Sequence, residues 1–184
     1  MRPFTVGRAL SRAWITWTKY RGFSIGNLLT GKILASVNFG TYSQSICGSA
    51  PSHGISVNPS NTQVYVLDSP QKQVRVYSAA DTPSLIATIN VDGFCAATES
   101  STYCGGPSCA AEGWLQHTLD GNYVLVGSSG DVINTSTRTL AVSSSSSDNA
   151  HQLYTDLRNT FHGFIVVNWS GGAPVAGSHF GVGN

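Results

Sequence analysis

Short apolar runs rich in β-branched and aromatic residues recur along the chain, and each is bounded by Gly, Pro, Asn, Asp or Ser. Such runs are typical of β-strands. The clearest of them cover residues 13–18, 63–68, 73–77 and 122–126. Apolar residues at helical spacing are never sustained over the roughly 10–12 residues that indicate a helix. The pattern therefore predicts an all-β chain.

Turn signals separate these runs. Asp120-Gly121 lies between two strand patterns and predicts a two-residue hairpin of type I′, because Gly tolerates the positive φ that this turn requires. The segment 58–61 (Asn-Pro-Ser-Asn) has the same place in an earlier part of the chain and predicts a turn there.

The strand patterns form an internal repeat. Units of four strand patterns begin at Arg2, His53 and Glu112, and a shorter one begins at His162. A repeat of roughly 40–50 residues that contains four strands is typical of β-propeller blades. We expect one partial propeller domain over 1–184, with about three and a half blades of four antiparallel strands in an incomplete ring. The blade boundaries are approximately 2–39, 53–91, 112–142 and 162–184, and 93–111 is an inserted loop.

The segment 53–91, with HGISVNPSNTQVYVLDS, QVRVYS and IATINV, resembles a blade of the YVTN-type repeat propellers. The segments 119–142 and 24–39 are similar to the same pattern. The resemblance covers about four fifths of the chain and implies a propeller fold. It implies no single activity, because lactonase-like propellers, surface-layer repeat proteins and haem-bearing propellers of nitrite reductases share the architecture. Ser128 stands where similar proteins commonly carry Asp.

The number of blades has a consequence for association. Propellers typically close with about 4–8 blades, so three and a half cannot form a ring. Open blade edges and apolar faces favour self-association. Either the chain is a fragment of a longer protein, which we favour, or it pairs with another copy.

Composition limits the partners. Only 10% of the residues are charged and the formal net charge is +1, which argues against a nucleic-acid binder. No apolar run approaches the roughly 18–20 residues of a membrane-spanning helix. Residues 1–67 hold six basic residues and no acid. The Arg-rich start at 1–21 has a composition that fits either a transit peptide or, as we favour, the first repeat. The apolar core of a secretory signal is not visible, although the repeat type leads us to expect an extracytoplasmic parent protein, periplasmic or secreted.

Polar side chains stand at equivalent places in the repeats, just before the first strand of each unit: Arg2, His53, Glu112 and His162. First strands line the central channel, so these residues are expected to gather at its mouth. Imidazole and carboxylate groups ligate metals and exchange protons. Two interpretations stay open, since such residues also hydrogen-bond neighbouring turns. His117 is a further weak metal candidate together with His53 and His162, although packing between blades is the favoured interpretation.

Cysteines cluster in the inserted loop. Cys95, Cys104 and Cys109 lie there, and Cys47 precedes the second unit. No C-x-x-C pair is present, which disfavours a zinc ribbon. Two disulfides are expected if the compartment oxidises, and three pairings are open.

These features favour a non-catalytic propeller module that presents loops and a channel mouth to a protein, glycan or small-molecule ligand. The alternative is an enzyme, a lactonase-like hydrolase or a redox protein, that uses a divalent metal or haem at the mouth. The choice between enzyme and binding module stays open, and no cofactor is predicted.

Overall fold

The computed structural model describes residues 4–6, 11–43, 50–91, 113–127, 129–142, 168–170 and 173–175. Within these ranges the regular structure is almost entirely β, with one 3-10 turn at Ser69–Gln71. No helix in these ranges is long and apolar enough to cross a membrane.

Three antiparallel sheets of four strands each follow one another along the chain, and a two-stranded sheet comes last. In every four-stranded sheet the strands lie side by side in chain order, as hairpins joined by short turns produce. The first sheet contains β1 (Phe4–Val6), β2 (Arg12–Ile15), β3 (Gly22–Asn27) and β4 (Ile33–Asn38). The second contains β5 (Ile55–Val57), β6 (Gln63–Asp68), β7 (Gln73–Ser78) and β8 (Leu85–Asn90). The third contains β9 (Leu115–His117), β10 (Tyr123–Val126), β11 (Val132–Asn134) and β12 (Thr139–Val142). The last pair is β13 (Asn168–Ser170) and β14 (Ala173–Val175).

The sheets pack face to face through two apolar clusters. One cluster joins the first and second sheets and consists of Trp14, Phe23, Ile25, Ile55, Val57, Val64, Val66 and Tyr77. The other joins the second and third sheets and consists of Tyr65, Leu67, Val74, Val76, Ile89, Val91, Leu115, Val124, Val126 and Ile133. Successive side chains of β6 point into the two clusters alternately, so this strand is buried on both faces. This explains why 63–68 is apolar on both faces rather than alternating.

The first strand of the second sheet, β5, contacts the first strands β1 and β9 of its two neighbours, whereas the fourth strands β4 and β8 are the more exposed. This arrangement is that of propeller blades around a central axis. None of the sheets in the described part of the chain closes on itself, and these sheets form an incomplete propeller of about three blades. The predicted all-β fold class of four-stranded antiparallel blades is confirmed.

Two details of the prediction are wrong. The second strand of the first sheet, predicted over 13–18, lies at Arg12–Ile15, because a turn with Lys19 at φ 62° takes Trp17 out of the strand. The hairpin at Asp120-Gly121 is not a two-residue type I′ turn. Thr118 N–H bonds to the Tyr123 carbonyl, and of the residues between them only Gly121 has positive φ.

Each pairing of third and fourth strands carries a register shift, as at Val76/Tyr77. The residues next to the shifts stay in solvent, with Ile33 60% and Leu85 51% exposed. Because a bulge disrupts the regular ladder, it protects an open outer edge against pairing with another strand.

Candidate functional site

The alternation of strand direction defines two ends of the sheets. The upper end carries the turns between the second and third strands and the segments that connect one sheet to the next. The lower end carries the hairpin turns between the first and second and between the third and fourth strands. The predicted channel mouth belongs to the upper end.

His53 lies at this upper end, where the chain enters β5, and its side chain is half-buried. Its ring meets the Trp114 ring edge-on, with centroids 5.1 Å apart and an interplanar angle of 87°. Thr16 Oγ1 donates a hydrogen bond of 3.5 Å to the His53 carbonyl. The His53–Trp114 pair therefore spans the second and third sheets beside their first strands, and the Thr16 bond ties it to the first sheet.

Strand pairing corrects the expected equivalence of His53 and Glu112. Val57 pairs with Val64, and His117 pairs with Val124 in the third sheet. Counting back from these pairs places Gly113 level with His53, one residue after Glu112. An added Cβ on Gly113 would lie 1.9 Å from the Gly127 carbonyl oxygen, so no side chain fits at this place. The repeat pattern matches Glu112-Gly113 with His53-Gly54, and this match is one residue out of register with the strand pairing.

The other predicted mouth residues, Arg2, Glu112 and His162, lie outside the described residues, as do all four cysteines. The structure places His53 alone of that set, so the gathering of four side chains stays a prediction. Among the described residues no three His, Cys, Asp or Glu side chains are close enough to hold a metal ion.

His117 is fully buried between the second and third sheets. Its Nδ1 lies 2.8 Å from Ser56 Oγ, and its backbone N–H donates to the same oxygen at 3.3 Å. The hydrogen bond between Ser56 Oγ and His117 Nδ1 can run in either direction, and the ring tautomer decides which atom donates. The Tyr65 ring stands edge-on to the imidazole, 4.8 Å between centroids. The contacts described here make His117 a residue of the interface between the sheets.

Replacing Ser56 with Ala is expected to lower the free energy of unfolding by about 1–3 kcal/mol, because His117 Nδ1 loses this partner while staying buried. The measurement is urea unfolding of S56A, H117L and the double variant. A double-mutant cycle should give a coupling of about 1 kcal/mol or more. Additive effects would show that the hydrogen bond contributes nothing.

A buried ionic cluster, which was not predicted from the sequence, lies at the upper end. Asp68, 0% exposed, ends β6 and receives two hydrogen bonds from Arg21 of the first sheet, Nε to Oδ1 at 2.7 Å and Nη2 to Oδ2 at 2.9 Å. Arg75 Nε donates to the same Oδ2 at 2.7 Å. Arg21 also donates through Nη1 to the Thr41 carbonyl at 2.9 Å. The ion pairs tie the first sheet to the second through charge-assisted bonds.

Aromatic rings border this cluster. The Arg75 guanidinium lies over the Phe39 ring, 4.8 Å from its centroid, and the Tyr77 ring stacks on Phe39 at 5.8 Å. Burial raises the pKa of the Tyr77 hydroxyl, and the nearby Arg75 partly offsets this effect. The Asp that follows the strand pattern VYVL was the available sequence signal for the cluster. Its partners Arg21 and Arg75 could not be paired with it from spacing alone.

Comparisons with known proteins add a fold likeness. No protein-family model matches the chain, and neither does any curated protein. Hydrazine synthase of Kuenenia stuttgartiensis matches 75% of this chain with a TM-score of 0.53 at 17% identity. A functionally unknown protein of Desulfotomaculum acetoxidans matches 76% with a TM-score of 0.49 at 13% identity. A protein of Lactobacillus plantarum matches 79% with a TM-score of 0.47 at 18% identity.

The chain spans 33%, 40% and 42% of the lengths of these three structures, respectively. At such identities the first likeness concerns the fold alone. Together with the three packed four-stranded sheets, it supports a propeller-like architecture.

Proposed function

We propose that this protein is a non-catalytic propeller module whose upper end binds a polar ligand or a protein loop beside His53 and Trp114. The half-buried His53–Trp114 pair carries the proposal. It offers an imidazole that can donate or accept a hydrogen bond, next to an indole with an apolar face and an N–H donor. Both rings stand where two sheets meet and are reachable from the upper end.

The other polar groups described above support a binding role rather than a catalytic one. Asp68 is enclosed by two guanidinium groups, and His117 is fully buried against Ser56 and Tyr65. A general base or nucleophile must reach the substrate. These groups hold the sheets together, which leaves the half-buried His53–Trp114 pair for recognition.

We also propose that the protein is a propeller of the YVTN repeat type. The repeat in which VYVL of β6 is followed by Asp68, and in which β8 reads as IATIN, supports a YVTN-type propeller. We propose an extracytoplasmic parent protein on the same resemblance, with the four cysteines in two disulfides.

The test uses the purified chain labelled with 15N and follows the indole N–H signal of Trp114 by NMR. The probes are citrate, N-acetylglucosamine and tetra-alanine. At least one is expected to move this signal saturably, and H53A should weaken its binding about tenfold through loss of a hydrogen bond. Tyr123→Ala is the matched control, since Tyr123 is an exposed aromatic residue at the lower end and should leave binding unchanged.

The competing function makes opposite predictions. A metal- or haem-dependent enzyme would retain stoichiometric metal or show a visible absorption band after purification. It would also hydrolyse a simple lactone such as γ-butyrolactone, with loss of turnover in H53A. Either result would contradict the proposed binding role.

A further inference from the structure

A cleft opens at the lower end, on the side of the sheets opposite to His53. It lies between the hairpin turn that joins β5 to β6 and the equivalent turn that joins β9 to β10, and its volume is about 320 Å³. Its lining residues are Asn58, Pro59, Ser60, Asp120 and Gly121. Small-molecule sites typically begin at about 300 Å³, so the cleft has room for one sugar-sized ligand.

Asp120 supplies a fixed carboxylate on one wall. Thr118 Oγ1 and the Asn122 backbone N–H donate to Oδ1 at 2.5 and 3.0 Å, and Asn122 Nδ2 donates to Oδ2 at 2.7 Å. These bonds lower the pKa of Asp120, with the Thr118 bond the largest cause. The carboxylate is thus ionised at neutral pH, held in one orientation, and able to accept further hydrogen bonds.

The opposite wall is equally rigid. Asn58 Oδ1 accepts the backbone N–H groups of Thr62 and Gln63 at 2.8 and 3.0 Å, which fixes the turn that carries Pro59 and Ser60. A side chain on Gly121 would contact Pro59 Cδ at 3.1 Å, so the Pro59 ring lies directly beside the Gly121 backbone. The Ser60 hydroxyl can both donate and accept. The walls combine a small apolar surface with hydroxyl and carboxylate groups.

The charged residues at the lower end bear on the class of ligand that the cleft would bind. Arg138 lies in the β11–β12 turn at the same end and acts electrostatically on the Tyr65 hydroxyl, which in turn donates to Gln63 at the base of the opposing turn. Among the residues that line the cleft Asp120 alone is charged, and its carboxylate can accept hydrogen bonds from neutral hydroxyl groups. Neighbouring hydroxyls of a sugar can donate to a carboxylate together, and the C–H face of its ring can pack on proline.

We infer that this lower cleft binds a neutral, hydroxyl-rich ligand, a pyranose unit whose adjacent hydroxyl groups donate to Asp120 while its ring packs on Pro59. This site is separate from the upper end and does not depend on the function proposed there. Ser60 is expected to contact a third hydroxyl group.

The experiment titrates the 15N-labelled full chain with methyl α-D-mannopyranoside, methyl β-D-glucopyranoside and methyl β-D-galactopyranoside, with putrescine and inorganic phosphate as charged comparators. At least one glycoside is expected to shift the backbone signals of Ser60 and Gly121 saturably. D120N should weaken this binding about tenfold or more, because one accepting carboxylate oxygen becomes an NH2 group that only donates and the negative charge is lost. D81N is the matched control, since Asp81 is an exposed lower-end carboxylate paired with Arg12, and should leave binding unchanged.

Ser60→Leu provides a second test that leaves the Asp120 turn intact. Ser60 is exposed, so leucine should fill the cleft, abolish binding and leave the thermal melt unchanged. The inference is overturned if no glycoside gives a saturable shift, if putrescine or phosphate binds more tightly than every glycoside, or if D81N weakens binding as much as D120N. Retained binding in S60L with unchanged shifts would also overturn it.

Discussion

Replacing Asp68 with Ala is expected to lower the free energy of unfolding by about 3–5 kcal/mol, because two guanidinium groups would lose their shared counter-charge at a buried interface. Arg21 has 7% of its side chain exposed and Arg75 20%, so water can replace the carboxylate only in part. Urea unfolding of D68A, followed by circular dichroism, measures the loss. A stable domain typically has only about 5–15 kcal/mol in total.

Two controls separate charge from packing. Asp81→Ala removes a carboxylate whose ion pair with Arg12 is exposed, and it should leave the midpoint of unfolding unchanged. The triple variant R21M/D68L/R75M replaces the cluster with apolar side chains and should recover most of the stability lost in D68A. A D68A variant as stable as the unaltered protein would contradict the assigned role of the cluster.

Replacing Gly113 with Ala is expected to cost about 3 kcal/mol or more, because the new Cβ would lie 1.9 Å from a backbone oxygen of Gly127. The atom that the new Cβ would meet belongs to the backbone, so no side-chain rotation removes the clash. The residues that lead into β9 would have to move away from the end of β10. The same movement should alter the NMR signal of the Trp114 indole, the next residue. Thermal unfolding and that signal together measure the effect.

Gly26→Ala is the matched control. Its added Cβ would lie 4.0 Å from the Ala13 carbonyl oxygen, an ordinary contact, and Gly26 has no positive φ. The change should be neutral or slightly stabilising, since alanine restricts the unfolded chain. Equal stability of the Gly113 and Gly26 variants would show that the close approach is not maintained in solution.

The strands were predictable because their signal is local. β6 and β7 are runs of apolar residues bounded by polar turns. The repeat of such runs predicts four-stranded blades from the sequence alone. Turn geometry was less accessible. Asp120-Gly121 reads as a two-residue hairpin, but the Asp120 carboxylate captures the Asn122 backbone N–H and stabilises a longer loop.

The candidate site was predictable only in outline. The polar position before β5 predicted His53 as a site residue. Its contact with Trp114 follows from strand register, as does the one-residue shift that places Gly113 level with His53. The repeat alone did not fix that register. The Asp68 cluster and the lower cleft were missed because each joins residues that are far apart along the chain. Contacts of that kind arise from packing of whole sheets, for which single-sequence periodicity holds no signal.

A two-dimensional NOE spectrum of the full chain tests the face-to-face packing of successive blades. Two aromatic contacts cross the two interfaces, Phe23 with Tyr77 at 5.3 Å between the first and second sheets, and Tyr65 with His117 at 4.8 Å between the second and third. We expect ring-proton cross-peaks for both pairs in the folded protein. Their absence in a protein that still shows dispersed β-strand signals would contradict the packing of these sheets as consecutive propeller blades.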